Sequence, residues 1–118
     1  MTVHVVLFTP RPDITDDERR VFGDALERAL TVIPSVRRFS VGRRVRTGAA
    51  YDQLPGDFDY CAVIEFENLE GLHTYLQHPA HADLGRLFYT TSRHAFAGDY
   101  ETVNAAPARA LDAWHAPR

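Results

Sequence analysis

A chain of 118 residues, 45% hydrophobic and 25% charged, has the size and composition of one soluble globular domain. Thirteen basic against sixteen acidic residues leave a net charge of −3, which excludes a general attraction to nucleic acid or an anionic membrane. The lone Cys61 excludes an internal disulfide and a cysteine-rich zinc site.

The N-terminal MTVHVVLFTP has no basic leader, and His4 interrupts its short apolar run. It reads as neither a signal peptide nor a membrane span, and a cytoplasmic protein is the expectation. Val3 to Thr9 predicts a strand, closed by Pro10 and Pro12. Both its faces are apolar apart from His4, so both are expected to be covered. Thr15 followed by Glu18 is a capping-box signature. The helix it opens sets Phe22, Leu26, Ala29, Leu30 and Ile33 on one stripe, and Pro34 ends it.

Ser35 to Arg46 predicts a second strand, with Phe39, Val41 and Val45 on one face. Arg38, Ser40, Gly42, Arg44 and Arg46 share the other. This basic strip reads as a solvated edge or as a partner for the acidic loop carrying Asp52, Asp57 and Asp59. Aromatic interleaving is absent, which argues against nucleic-acid binding. Thr47 to Asp57 is a long connection rich in turn residues. Phe58 to Phe66 then predicts a central strand, with Phe58, Tyr60, Ala62, Ile64 and Phe66 on one face and Cys61 and Val63 on the other.

Asn68 caps a short helix, Leu69 to Gln77, with Leu72, Tyr75 and Leu76 inward. His78 precedes a proline and is pushed out of helical geometry, while Pro79 suits the first position of a new helix. That helix is expected to reach about Arg93, with Leu84, Leu87 and Phe88 inward. Ala95 to Val103 predicts the last strand. The Ala/Pro-rich tail, residues 104–118, lies outside the domain of residues 1–103, disordered or laid across a neighbour.

The order β-α-β-β-α-α-β predicts an α+β, ferredoxin-like subunit: a four-stranded, mostly antiparallel sheet with its helices on one face. The first and third strands are nonetheless apolar on both faces. A second copy covering the open face, giving a two-fold homodimer, is the simplest solution.

Taken in order, HVVLF, IPSV, Gly42, EFEN, YLQHPAH and the late GDY resemble the stress-responsive dimeric α/β-barrel (Dabb) domain family over roughly residues 2 to 101. The resemblance implies two ferredoxin-like subunits pairing their sheets into a barrel. In the plant polyketide cyclases of this family the second histidine of HPAH is the base and a tyrosine its partner. The resemblance therefore assigns those roles to His81 and Tyr75, makes His4 a pocket histidine, and matches Asp99 to an aspartate of the final strand. Tyr60 stands where such a cyclase carries a further pocket histidine, which makes it a substrate-facing position.

The residues allow this chemistry. His81 falls in the first turn of a helix, whose partial positive charge disfavours imidazolium and leaves a neutral base. Asp99 is placed to accept from its other ring nitrogen and fix the tautomer. Tyr75 is placed to donate its phenol to a developing enolate. The plainer reading has His81 bonded to helix-end backbone and Tyr75 packed in the core. His78 is expected to cap its helix or face solvent. A metal pair of His78 and His81, with Asp83 or Asp99 as third ligand, is awkward across the turn at Pro79. Cys61 reads as an inert thiol.

The function expected is a cofactor-free lyase or cyclase of polyketide type acting on a small carbonyl-bearing hydrophobic molecule. The alternatives are a non-catalytic stress or assembly protein with a filled barrel, and a cofactor-free monooxygenase.

Overall fold

The computed structural model describes residues 1–114, so the last four residues of the predicted tail lie outside the described part. The elements are β1 (Thr2–Pro10), α1 (Asp16–Val32), β2 (Arg38–Arg43), β3 (Tyr60–Phe66), α2 (Leu69–Gln77), α3 (Pro79–Thr91) and β4 (Ser92–Glu101). Short 3₁₀ turns occupy Ala50–Gln53 and Pro107–Leu111. The four strands form one antiparallel sheet in the order β2-β3-β1-β4, a ferredoxin-like α+β arrangement. No helix among the described residues is long and apolar enough to cross a membrane.

The helix boundaries follow local chemistry. The Thr15 hydroxyl accepts from the Glu18 N–H at 3.1 Å, and the Glu18 carboxylate accepts from the Thr15 N–H at 3.2 Å. These bonds satisfy two groups a helix start leaves orphaned. Asn68 caps α2 by accepting from the Gly71 N–H at 2.9 Å. At the far end of α3, Arg11 donates its backbone N–H to the Thr91 carbonyl at 2.8 Å and its Nε–H to the Thr90 carbonyl at 2.7 Å. A cation at a helix C-terminus is favourably placed.

Three strands depart from the sequence expectation. β2 spans Arg38–Arg43, much less than the predicted Ser35 to Arg46. Beyond it, the Arg44 guanidinium turns to Asp57 at 2.6 Å and Asp52 at 3.5 Å, and Arg46 also pairs with Asp57. The basic strip is thus the partner of the acidic loop through Asp52 and Asp57, while Asp59 contributes only its backbone carbonyl, which accepts from the Arg44 N–H at 2.7 Å. β4 starts at Ser92, with no loop after α3, because pairing with Pro10 at the end of β1 takes over where the helix stops. Phe58 leaves β3 and packs its ring on His94, centroids 5.3 Å apart.

The helices cover one sheet face only. Ala29, Leu30 and Ile33 of the α1 end meet Ile64 and Phe66 of β3, Leu72 and Tyr75 of α2, and Ala80 and Leu84 of α3 in one buried cluster. The register puts Val3, Val5 and Leu7 on the opposite face, beside Val63, Cys61, Phe96 and Tyr100. Phe96 and Tyr100 stand 42% and 51% exposed there, so the apolar face foreseen as needing a cover is present and open in a single chain.

Candidate functional site

Between the covered face of the sheet and helices α1 and α3 lies a cavity of about 240 Å³. Its floor comes from alternate residues of β1, His4, Val6 and Phe8, with Ala62 and Ile64 of β3 and Ala97 of β4. Alternation is what puts these three β1 residues on one face, and spans about 13 Å from His4 to Phe8. Phe22 and Leu26 of α1 and Tyr75 and Leu76 of α2 form walls. From α3 come His81, Leu84, Gly85, Phe88 and Tyr89, the i, i+3, i+4, i+7, i+8 stripe that a helix presents to a neighbour.

The two ends differ. At one end three polar rings converge: Tyr75 and His81 centroids are 4.8 Å apart, His4 and Tyr75 5.9 Å, and His4 and His81 6.4 Å. At the other end Phe8 lies 5.6 Å from both Phe22 and Phe88. Tyr89 is 83% exposed while lining the cavity, which marks the mouth. The cavity is therefore elongated, with a hydrogen-bonding head, an aromatic tail end and an opening along α3.

Pro79 breaks the chain as expected, and the break separates the two histidines of HPAH. His78 is the N-cap of α3, its Nδ1 accepting from the Ala80 N–H at 3.0 Å. That nitrogen is committed, and among the described residues no three His, Cys, Asp or Glu side chains cluster as a metal site. His81, one turn into the helix, faces the cavity. Its pKa lies below the ordinary 6.5, first because burial penalises the imidazolium and next because His4 is close, with the Leu76 backbone opposing both. Burial, more than the helix start invoked from the sequence, thus keeps His81 neutral. Burial also pushes the Tyr75 phenol up to about 12, so it stays a donor throughout the neutral range. Among the described residues nothing hydrogen-bonds that hydroxyl.

Two candidates sit differently from expectation. Asp99 does not hold His81; its carboxylate binds His4 Nδ1 at 2.6 Å. The reason is register, since Asp99 lies directly across from His4 in the β1–β4 ladder, where side chains meet. With Nδ1 so occupied, His4 keeps Nε2 for a ligand. Tyr60 does not line the cavity. It stacks on the outer side of Phe8 at 5.5 Å and is 37% exposed, beside Leu7, Arg43 and Cys61 at a separate surface depression. Phe8, Phe22, Phe88 and Gly85 line the cavity at positions that sequence reasoning missed or took for plain core. Their only signal was the helical and strand periodicity, which a filled and a hollow interior share.

The stress responsive A/B barrel domain (Dabb) model matches residues 2–102. The chain belongs to this family. No curated protein matches the sequence. Among solved structures, the Dabb chain is similar to the hydroxynitrile lyase from Passiflora edulis, with TM-score 0.71 and 11% identity over 84% of this chain and 90% of that one. It is similar also to SnoaB, a cofactor-independent oxygenase from Streptomyces nogalater, with TM-score 0.60 and 14% identity over 85% of this chain and 90% of that one. A dimeric ferredoxin-like protein of unknown function from Thermobifida fusca gives TM-score 0.65 and 19% identity, covering 84% and 88%. At these identities the likeness is one of fold.

Proposed function

We propose that this Dabb domain binds a small, elongated, carbonyl-bearing hydrophobic molecule and acts on it as a cofactor-free lyase or cyclase, with His81 as general base. The observation that carries the reading is the convergence of His4, Tyr75 and His81 at one end of an otherwise apolar cavity. An engineered apolar cavity of about 150 Å³ takes benzene. A volume of about 240 Å³ therefore suits one ring with a short chain, below the roughly 300–1,000 Å³ of pockets for drug-sized ligands, and an interior left this open supports a small-molecule site over a filled barrel.

The chemistry follows from the protonation states. A carbonyl oxygen placed at the Tyr75 hydroxyl accepts its hydrogen bond. Neutral His81 removes a proton from the adjacent carbon, and the negative charge that develops on oxygen is stabilised by the phenol. The carbanion carbon then attacks a second carbonyl of the same molecule, and the new alkoxide takes back the proton from His81. Protons and electrons balance with no outside reagent. The Asp99–His4 pair orients the ligand from the opposite side, and the nearness of His4 helps to hold the His81 pKa down.

The working unit we propose is a two-fold homodimer joined through the open sheet faces. The exposed Phe96 and Tyr100 beside Val3, Val5 and Val63 support it, as do the similar structures described as dimeric.

Hydrogen–deuterium exchange next to the carbonyl of 4-phenylbutan-2-one, followed by NMR in heavy water, tests the base directly. The protein-catalysed exchange is expected to fall about 10²–10⁴-fold in His81→Ala. Exchange at the wild-type rate in that variant removes His81 from the mechanism. Consumption of oxygen with an electron-rich phenol would instead favour monooxygenase chemistry.

A further inference from the structure

Seven glycines punctuate the chain, and five have a local reason. Gly48 and Gly56 turn the β2–β3 connection with φ of +84° and +85°, where any side chain is strained. At Gly98 a Cβ would meet the Phe96 ring at 2.9 Å, and at Gly42 and Gly71 it would touch a neighbouring side chain at 3.4 Å. Gly23 and Gly85 have neither reason: nothing lies within 4 Å of where their Cβ would be. Both sit inside helices, where glycine weakens the helix relative to alanine. Gly23 is exposed on α1, away from the cavity. Gly85 lines the cavity, one turn beyond His81 and one turn before Tyr89.

We infer that Gly85 is a specificity-determining position: its missing side chain keeps the imidazole end and the aromatic end of the cavity joined as one channel. A side chain on the His81–Gly85–Tyr89 line would project into the open space between them. Gly85 therefore selects ligands whose apolar tail runs past it toward Phe8, Phe22 and Phe88. A compact molecule confined beside His81 would not need it. This inference rests on the reading of the cavity as a ligand site, and adds what sets the length that site accepts.

The test is a chain-length series, acetophenone through 4-pentylacetophenone, titrated by calorimetry into the full-length wild type, Gly85→Leu, Gly85→Ala and Gly23→Ala. In the wild type each added methylene is expected to tighten binding about fourfold. Gly85→Leu should gain little from longer chains, whatever its affinity for acetophenone. Gly85→Ala should melt higher than the wild type yet show a reduced gain per methylene. Gly23→Ala should melt higher and bind as the wild type does. If both Gly85 variants keep the full wild-type gain, the role of Gly85 is overturned while the ligand site stands. If the wild type binds no member of the series, the ligand-site reading fails and this inference fails with it.

Discussion

Replacing Tyr75 by phenylalanine separates a catalytic from a packing role, because fold stability and exchange rate respond differently. The Tyr75 side chain is 1% exposed and packs on Phe66 at 5.2 Å and His81 at 4.8 Å. A phenylalanine ring keeps those contacts. The hydroxyl it removes makes no hydrogen bond to the protein among the described residues, and it stands at a cavity open to water, which satisfies it. Tyr75→Phe is therefore expected to change stability by less than about 1 kcal/mol. For a domain of this size that moves the melting temperature by no more than about 4 °C. The same change removes the donor to the developing enolate oxygen, and a single such donor contributes about 10²–10³ in rate. The variant should therefore melt close to the wild type in calorimetry and exchange the protons of 4-phenylbutan-2-one far more slowly. A tyrosine that merely packs predicts no loss of exchange. A melting temperature lowered by much more than that would show that the hydroxyl is bonded within the resting protein. Unchanged exchange would remove Tyr75 from the chemistry.

The pH profile of exchange should show one acid limb, with its midpoint below 6.5 from His81, and no alkaline limb up to pH 10, since the Tyr75 proton is lost only near 12; a limb rising through 8 would refute the assignment. Folding lowers the His81 pKa, so the unfolded chain binds that proton more readily and stability falls as pH drops below about 6.5. The urea midpoint of His81→Asn should accordingly drop less than that of the wild type between pH 7 and pH 5; equal drops would count against a buried neutral His81. Asp99→Ala should cost about 1 kcal/mol, given a carboxylate that is itself 43% exposed, and should release the His4 tautomer in nitrogen-15 spectra. An unchanged His4 tautomer would show that the 2.6 Å contact does not fix it. Val5→Glu, on the open sheet face, should turn a dimer into a monomer in a sedimentation concentration series; a dimer of wild-type strength in that variant would place the interface elsewhere.

The parts legible in the sequence are those decided within a few residues. The Thr15–Glu18 box, the Asn68 cap and the break at Pro79 are local hydrogen-bond or steric rules, and each appears where its residues stand. The ferredoxin-like order and the apolar open face followed from strand patterning. The extent of β2 did not, because the pairing of Arg44 and Arg46 with Asp57 crosses a loop that patterning does not weigh against the ladder. The pairing of Asp99 with His4 spans 95 positions and depends on a register that a single-residue slip would undo. The cavity was the least legible feature. Phe8, Phe22 and Phe88 satisfy the same periodicity whether their rings meet or leave a channel.

The geometry of β1 ties these findings together. Its even residues, His4, Val6 and Phe8, floor the cavity, while its odd residues, Val3, Val5 and Leu7, lie on the open face. One central strand thus serves two surfaces that share no side chain. Through β1 its neighbours are divided in the same way: Ala97 and Asp99 of β4 face the helix side, and Phe96 and Tyr100 face away. Covering the open face with a second copy would therefore stiffen the strand that carries His4 without adding a group to the reacting end. Every ring that meets there, His4, Tyr75 and His81, comes from one chain. In the proposed dimer, association then acts on the site only through the backbone of β1 and the ladder that sets Asp99 against His4.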